Sequence, residues 1–168
     1  ESLDRQNQGK PTGYYHHTGP LGQVMLLKRD DRRWSDVAIV GLGAGSLAAY
    51  GVEGSQRITF YEIDPAVVRI AGDKALFTFI ARCRAKAAAI IGDARIRLAE
   101  EPDGRFDLLV LDAFSSDAIP VHLITREALE LDLAKLAPGG VIAVHISNRN
   151  LDLAPVLAAA ARDLGLAA

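Results

Sequence analysis

A doubly wound, mainly parallel α/β sheet is the fold this sequence predicts, on three observations. Short apolar runs recur at residues 37–40, 57–61, 89–91, 106–111 and 141–146, each suited to one strand. Segments with helical periods or helix-start residues lie between them, the alternation that builds right-handed βαβ crossovers. The run Phe106-Asp-Leu-Leu-Val-Leu111 is apolar almost throughout, as a parallel strand covered by helices on both faces requires.

Residues 1–12 are polar, with Gly9 and Pro11 as breakers, and read as an extended lead-in. Tyr14-Tyr15-His16-His17 and residues 22–27 flank the turn signal Thr18-Gly19-Pro20, so a small β-hairpin is expected before the main domain. The first strand, 37–40, runs into a glycine-rich turn and a helix through Leu47, Ala48 and Ala49. The second strand is followed by Asp64-Pro65, an N-cap with proline at the first helical position. Residues 76–89 carry Ala, Arg and Lys at helical periods, and a short third strand, 89–91, ends at Gly92-Asp93. A helix over 125–136 stops at Pro138-Gly139-Gly140; the fifth strand, 141–146, follows, and a last helix starts near Asp152. Two units result: a lead-in with hairpin over 1–35, and a nucleoside-binding α/β domain over 36–168.

A chain of 168 residues with 49% hydrophobic and 24% charged residues suits one globular core and excludes a disordered or collagen-like chain. A net charge of -2 leaves no broad basic field for a phosphate backbone, so no nucleic-acid partner is expected. Cys83 stands alone, which excludes an internal disulfide or a thiolate metal cluster and favours a reducing, cytoplasmic setting. His122 and His145 lack partners at ligand spacing, so no metal is expected. No run approaches the roughly 18 apolar residues of a membrane span. The polar start without an initiator Met, and the end just after an Ala-rich helix pattern, read as a fragment of something longer.

Ligands of doubly wound sheets sit beyond the carboxyl ends of the strands. That rule selects residues 41–46, Glu62, Asp93 and residues 112–117. Gly41, Gly43 and Gly45 let the backbone turn sharply and approach a ligand, although the third glycine of the dinucleotide pattern would fall at Ser46. Glu62, about 20 residues on, suits the two hydroxyls of a ribose. Asp93 suits an exocyclic amine of a base, or caps the following turn. No Gly-Lys-Ser/Thr follows the loop, which excludes a P-loop, and adenosine without pyrophosphate points to a methionine-linked cofactor. Asp112 and Asp117, with Ser115 and Ser116 between them, suit a cationic amine that must lose a proton before its nitrogen attacks a carbon beside a sulfonium. Asp117 alternatively caps a helical turn. Tyr14, Tyr15, His16 and His17 read as hairpin packing or as a lid, and a basic neighbourhood around Cys83 does not by itself make it catalytic.

The runs Val40-Gly-Leu-Gly-Ala-Gly45, Tyr61-Glu-Ile-Asp-Pro65, Gly92-Asp93-Ala94, Phe106-Asp107 through Asp112 with Ser115-Ser116-Asp117, and Leu136-Ala-Pro-Gly-Gly140 resemble the spermidine synthase (polyamine aminopropyltransferase) family in order and spacing, over roughly residues 13–150. The lead-in resembles the membrane-fused spermidine synthase-like branch, which implies a possible membrane part elsewhere in a full-length protein. The resemblance implies a class I S-adenosylmethionine-dependent methyltransferase fold, in which strands run 3-2-1-4-5-7-6. The last two strands are not in this sequence, so the fifth is expected at a sheet edge open to pairing, and a homodimer is expected.

By the same resemblance Glu62 and Ile63 contact the ribose side of the nucleoside and Asp93 and Ala94 its adenine. Gly41, Gly43, Ala44 and Gly45 form the cofactor loop. Asp112 activates the amine beside the cofactor, and Asp117 is a second amine-holding acid. Ala44 stands where the family carries an acid for the donor's ammonium, and Ala113-Phe114 stretch the acidic run. Both S-adenosylmethionine and its decarboxylated form are therefore expected donors, with a putrescine-like acceptor and methylthioadenosine as product. A methyltransferase or cofactor-cleaving enzyme on the same scaffold is the second expectation, and a non-catalytic nucleoside-sensing module the third.

Overall fold

A computed structural model of the chain describes residues 9–29, 32–113, 120–147 and 152–166. Five strands form one parallel sheet: β3 (Asp36–Val40), β4 (Arg57–Glu62), β5 (Lys86–Ile91), β6 (Phe106–Leu111) and β7 (Leu136–Val144), in the order β5-β4-β3-β6-β7. This is the expected 3-2-1-4-5 arrangement. A two-residue antiparallel pair, β1 (Lys28–Arg29) with β2 (Arg32–Arg33), precedes it. Helices α1 (Pro20–Leu26), α2 (Pro65–Gly72), α3 (Ala94–Ala99), α4 (Arg126–Lys135) and α5 (Ala154–Asp163) complete the described fold. Among the described residues, no helix is long and apolar enough to cross a membrane.

The central strands are buried on both faces, and alternate residues serve opposite layers, as the two-residue period of a strand demands. Val37, Ile39, Ile58, Phe60, Leu108 and Val110 pack with Leu21 and Met25 of α1, Trp34, Leu47 and Phe79. Ala38, Val40, Tyr61, Leu109 and Leu111 pack on the other side with Ala94 and Leu98 of α3 and with Leu123. Edge strands β5 and β7 are partly exposed along their length.

Four local readings are corrected. Residues 14–27 do not form hairpin strands: Gly13–Tyr15 is a 3-10 turn and Pro20–Leu26 is α1. Thr18-Gly19-Pro20 is a helix start, with extended Gly19 as N-cap and Pro20 supplying the first helical φ. Gly22 seats α1 on the turn, since a Cβ there would lie 2.0 Å from the His16 carbonyl oxygen. After the glycine loop, Ser46–Tyr50 is a 3-10 segment, not an α-helix. It stops at Gly51, whose tight fit against Cys83 Sγ, 2.5 Å from an added Cβ, leaves no room for a side chain.

The helical pattern at 76–89 yields to turns, and Lys86–Ile91 is β5, six residues in register with β4. Pairing with β4 satisfies those backbone groups and overrides the propensity of Ala and Lys. β7 begins at Leu136, five residues early, and absorbs Pro138-Gly139-Gly140 through a register shift between Phe106 and Leu108.

Candidate functional site

Parallel pairing puts the polar residues in one row. Gly41 N–H donates to the Tyr61 carbonyl at 2.8 Å, Asp112 N–H to Val40 at 2.9 Å, His145 N–H to Leu111 at 2.9 Å and Gly92 N–H to Glu62 at 2.9 Å. Gly41, Glu62, Gly92, Asp112 and His145 therefore end or follow adjacent strands at the carboxyl edge, where the chain leaves the sheet. A cavity of about 500 Å³ opens there, lined by Gly41, Gly43, Glu62, Ile63, Asp93, Ala94 and Asp112 among others.

The glycine loop is shaped by left-handed backbone. Gly41 has φ 94° and Gly43 φ 50°. A Cβ on Gly41 would lie 2.7 Å from the Asp112 carbonyl oxygen, whereas one on Gly43 would meet nothing within 4 Å. Gly41→Ala is therefore expected to lower stability by roughly 2–4 kcal/mol and Gly43→Ala by about 1 kcal/mol. Urea midpoints for the two variants check this, and equal losses would remove the packing argument. Ala44 packs against the core, and Gly45, with φ 78°, faces Ile80; neither lines the cavity.

Glu62 staples the loop to the next helix. Its Oε2 accepts from Leu42 N–H and its Oε1 from Asp64 N–H, both at 3.0 Å, while Asp64 caps α2 by accepting from Ala66 N–H at 2.7 Å. Ile63 is exposed at the cavity and Ala94 is buried. Of the two roles left open for Asp93, the structure shows the cap. One carboxylate oxygen caps α3, accepting from Ile96 N–H at 3.2 Å, and the other lies 3.4 Å from His122 Nε2. Asp107 is structural: its carboxylate accepts from the backbone N–H of Ser35 at 2.8 Å and of Asp36 at 3.0 Å. Asp117 lies outside the described residues.

Asp112 is the chemical centre of the row. Its side chain is 4% exposed, its Oδ2 accepts from the Tyr15 hydroxyl at 2.6 Å, and its Oδ1 lies 2.7 Å from His145 Nδ1. Tyr14 donates to the Tyr15 hydroxyl at 2.7 Å, and its ring centroid lies 4.3 Å from that of His145. Burial pushes the Asp112 carboxyl above the ordinary carboxylate range, with the Tyr15 and His145 contacts opposing it. Burial also raises the Tyr15 phenol, reinforced by the Asp112 charge. The turn carrying both tyrosines is held by the Tyr50 hydroxyl, which donates to the Tyr15 carbonyl. Trp34 Nε1 donates to the Val24 carbonyl at 2.9 Å and anchors α1 behind it.

The sequence offered Tyr15 as hairpin packing or a lid and His145 only as a histidine without ligand partners; neither reading includes their grip on Asp112. The carboxyl-end rule applied to β7 points to His145, the first residue beyond it. No such rule finds Tyr15, which lies 97 residues from Asp112 in the chain.

The chain is 34% identical over 113 residues to the polyamine aminopropyltransferase of Vibrio vulnificus (strain CMCP6), a match covering 65% of this chain and 36% of that protein. By sequence, it is similar to the polyamine aminopropyltransferases. It spans little more than a third of that relative's length. No family model matches. Spermidine synthase from Thermotoga maritima superposes with a TM-score of 0.59 at 20% identity, over 79% of this chain and 44% of that one. A spermidine synthase in complex with the transition state analogue AdoDATO gives 0.61 at 20% identity, over 79% of this chain and 45% of that one. Human Methyltransferase-like protein 13 in complex with SAH gives 0.61 at 23% identity, over 77% of this chain and 62% of that one. These likenesses establish the class I methyltransferase-like fold.

Proposed function

We propose that the chain is the nucleoside-binding part of an aminopropyltransferase. It would bind S-adenosylmethionine or its decarboxylated form and pass an aminopropyl group to a putrescine-like amine, releasing methylthioadenosine. The observation that carries the reading is Asp112, a buried carboxylate beside the glycine loop, gripped at both oxygens and lining the cavity. An acid so placed is suited to hold an ammonium and take its proton, while the nitrogen attacks the carbon next to sulfur and the C–S electron pair leaves with the thioether. Similarity to the Vibrio vulnificus protein over 113 residues supports it.

In this reading Glu62 and Ile63 hold the ribose side, and Asp93 and Ala94 the adenine. Gly41 and Gly43 give the ligand close access to backbone. Asp117 is the second acid for the amine.

Titration calorimetry with each donor form, followed by detection of methylthioadenosine with and without a diamine, tests the reading. Amine-dependent methylthioadenosine supports it; S-adenosylhomocysteine in place of methylthioadenosine would reassign the site to methyl transfer. Glu62→Ala is expected to weaken nucleoside binding by about 1.5–3 kcal/mol, as for a hydrogen bond to a charged group. Because Glu62 also satisfies the Leu42 and Asp64 N–H groups, the same change should lower stability by about 1–3 kcal/mol, read from a urea titration. Unchanged affinity would remove the ribose role.

A further inference from the structure

His145 enters the site from a strand that no part of the proposed reaction uses. Its side chain is 13% exposed, and its ring closes a loop of four side chains from three segments: Tyr14 to Tyr15, Tyr15 to Asp112 Oδ2, Asp112 Oδ1 to His145 Nδ1, and His145 back onto the Tyr14 ring. We infer that His145 is a positioning residue for Asp112, whose Nδ1–H holds Oδ1 so that the carboxylate presents Oδ2 to the proton of an incoming ammonium. The inference deepens the aminopropyl reading and rests on it for the identity of the incoming group.

The hydrogen-bonding capacities of the two grips differ, and this decides which oxygen works. An ionised carboxylate only accepts, so a contact of 2.7 Å to Nδ1 requires the hydrogen to sit on Nδ1. An imidazole N–H is a fixed donor. The Tyr15 hydroxyl on Oδ2 both donates and accepts, so it can rotate to receive a hydrogen from Oδ2 once that oxygen is protonated. The proton therefore lands on Oδ2, and Oδ1 stays bonded to His145 throughout. The balance closes: the ammonium proton goes to Oδ2, the freed nitrogen pair forms the C–N bond, and the C–S pair goes to sulfur. Besides Asp112, Tyr14 and Tyr15, the titratable groups on the cavity among the described residues are Tyr61 and Glu62 of β4, Asp64 of the β4–α2 turn, Asp93 at the cap of α3 and His122 of the turn before α4.

The test compares His145→Ala with His145→Asn, whose Nδ2–H stands near the place of Nδ1–H. In the alanine variant the acid limb of kcat/KM for the amine should move up by about one pH unit, because a donor that favours the carboxylate is gone. On the acid side of the limb the rate should fall roughly tenfold and recover toward alkaline pH, with nucleoside affinity unchanged. The asparagine variant should restore the wild-type limb. A uniform loss at every pH, or asparagine no better than alanine, would reduce His145 to packing. Nitrogen-15 spectra of the wild-type histidine rings give a readout independent of turnover and of any variant's folding. A protonated Nδ1 on His145 at neutral pH supports the inference, and a bare Nδ1 overturns it. Wild-type protein with that tautomer but no amine-dependent product would refute the transfer reading while upholding the grip on Asp112.

Discussion

Asp112→Asn should abolish most turnover, a fall of about 10²–10⁴-fold, while nucleoside affinity stays within a few-fold of wild type. The amide keeps the grip on the side chain: its oxygen can accept from His145 Nδ1–H and its NH₂ can donate to the Tyr15 oxygen. What it loses is the ability to take a proton, so kinetic and binding constants should separate. If turnover and affinity fall together, Asp112 is a binding residue. The pH profile follows from the same carboxyl. Burial raises it above the ordinary range, and only its ionised form accepts a proton. The rate should therefore fall as pH drops through a value higher than that of an exposed aspartate. A flat profile down to pH 4 would mean that Asp112 is not the group being titrated.

The second large effect is on stability. Asp132 on α4 is 4% exposed, and burial pushes its carboxyl up to about 7, with the Arg95 charge opposing. A carboxyl raised in the folded state binds its proton more tightly there than in the unfolded chain. Its contribution is fully present below the unfolded value and is lost as pH rises through about 7. Asp132→Asn removes that titration. The variant's advantage over wild type should grow from under about 1 kcal/mol at pH 4 to about 4 kcal/mol at pH 8. Urea midpoints at the two pH values measure it, and a difference that does not change with pH would rule it out.

Local chemistry in the sequence was sufficient wherever one segment decides its own structure. The apolar run of β6 can only be a covered strand, and Asp64-Pro65 starts α2 because the cap and the fixed φ act within two residues. The carboxyl-end placement of Gly41, Glu62, Asp93 and Asp112 follows from the same pattern, because where an apolar run stops the chain leaves the sheet. Asp93 was legible as a cap, but the neighbour of its second oxygen was not, since His122 comes from the turn before α4. Other features depend on partners distant in sequence. Residues 86–88 read as part of a helix and instead join 89–91 in β5, because β4 offers six residues of unpaired ladder. Thr18-Gly19-Pro20 suits a hairpin turn as well as a helix start, and the seat for Gly22 on the 13–16 backbone selects the helix. The grip on Asp112 is tertiary for the same reason: Tyr15 and His145 lie 97 and 33 residues away, and only sheet order and the docking of α1 bring their polar atoms within hydrogen-bonding distance.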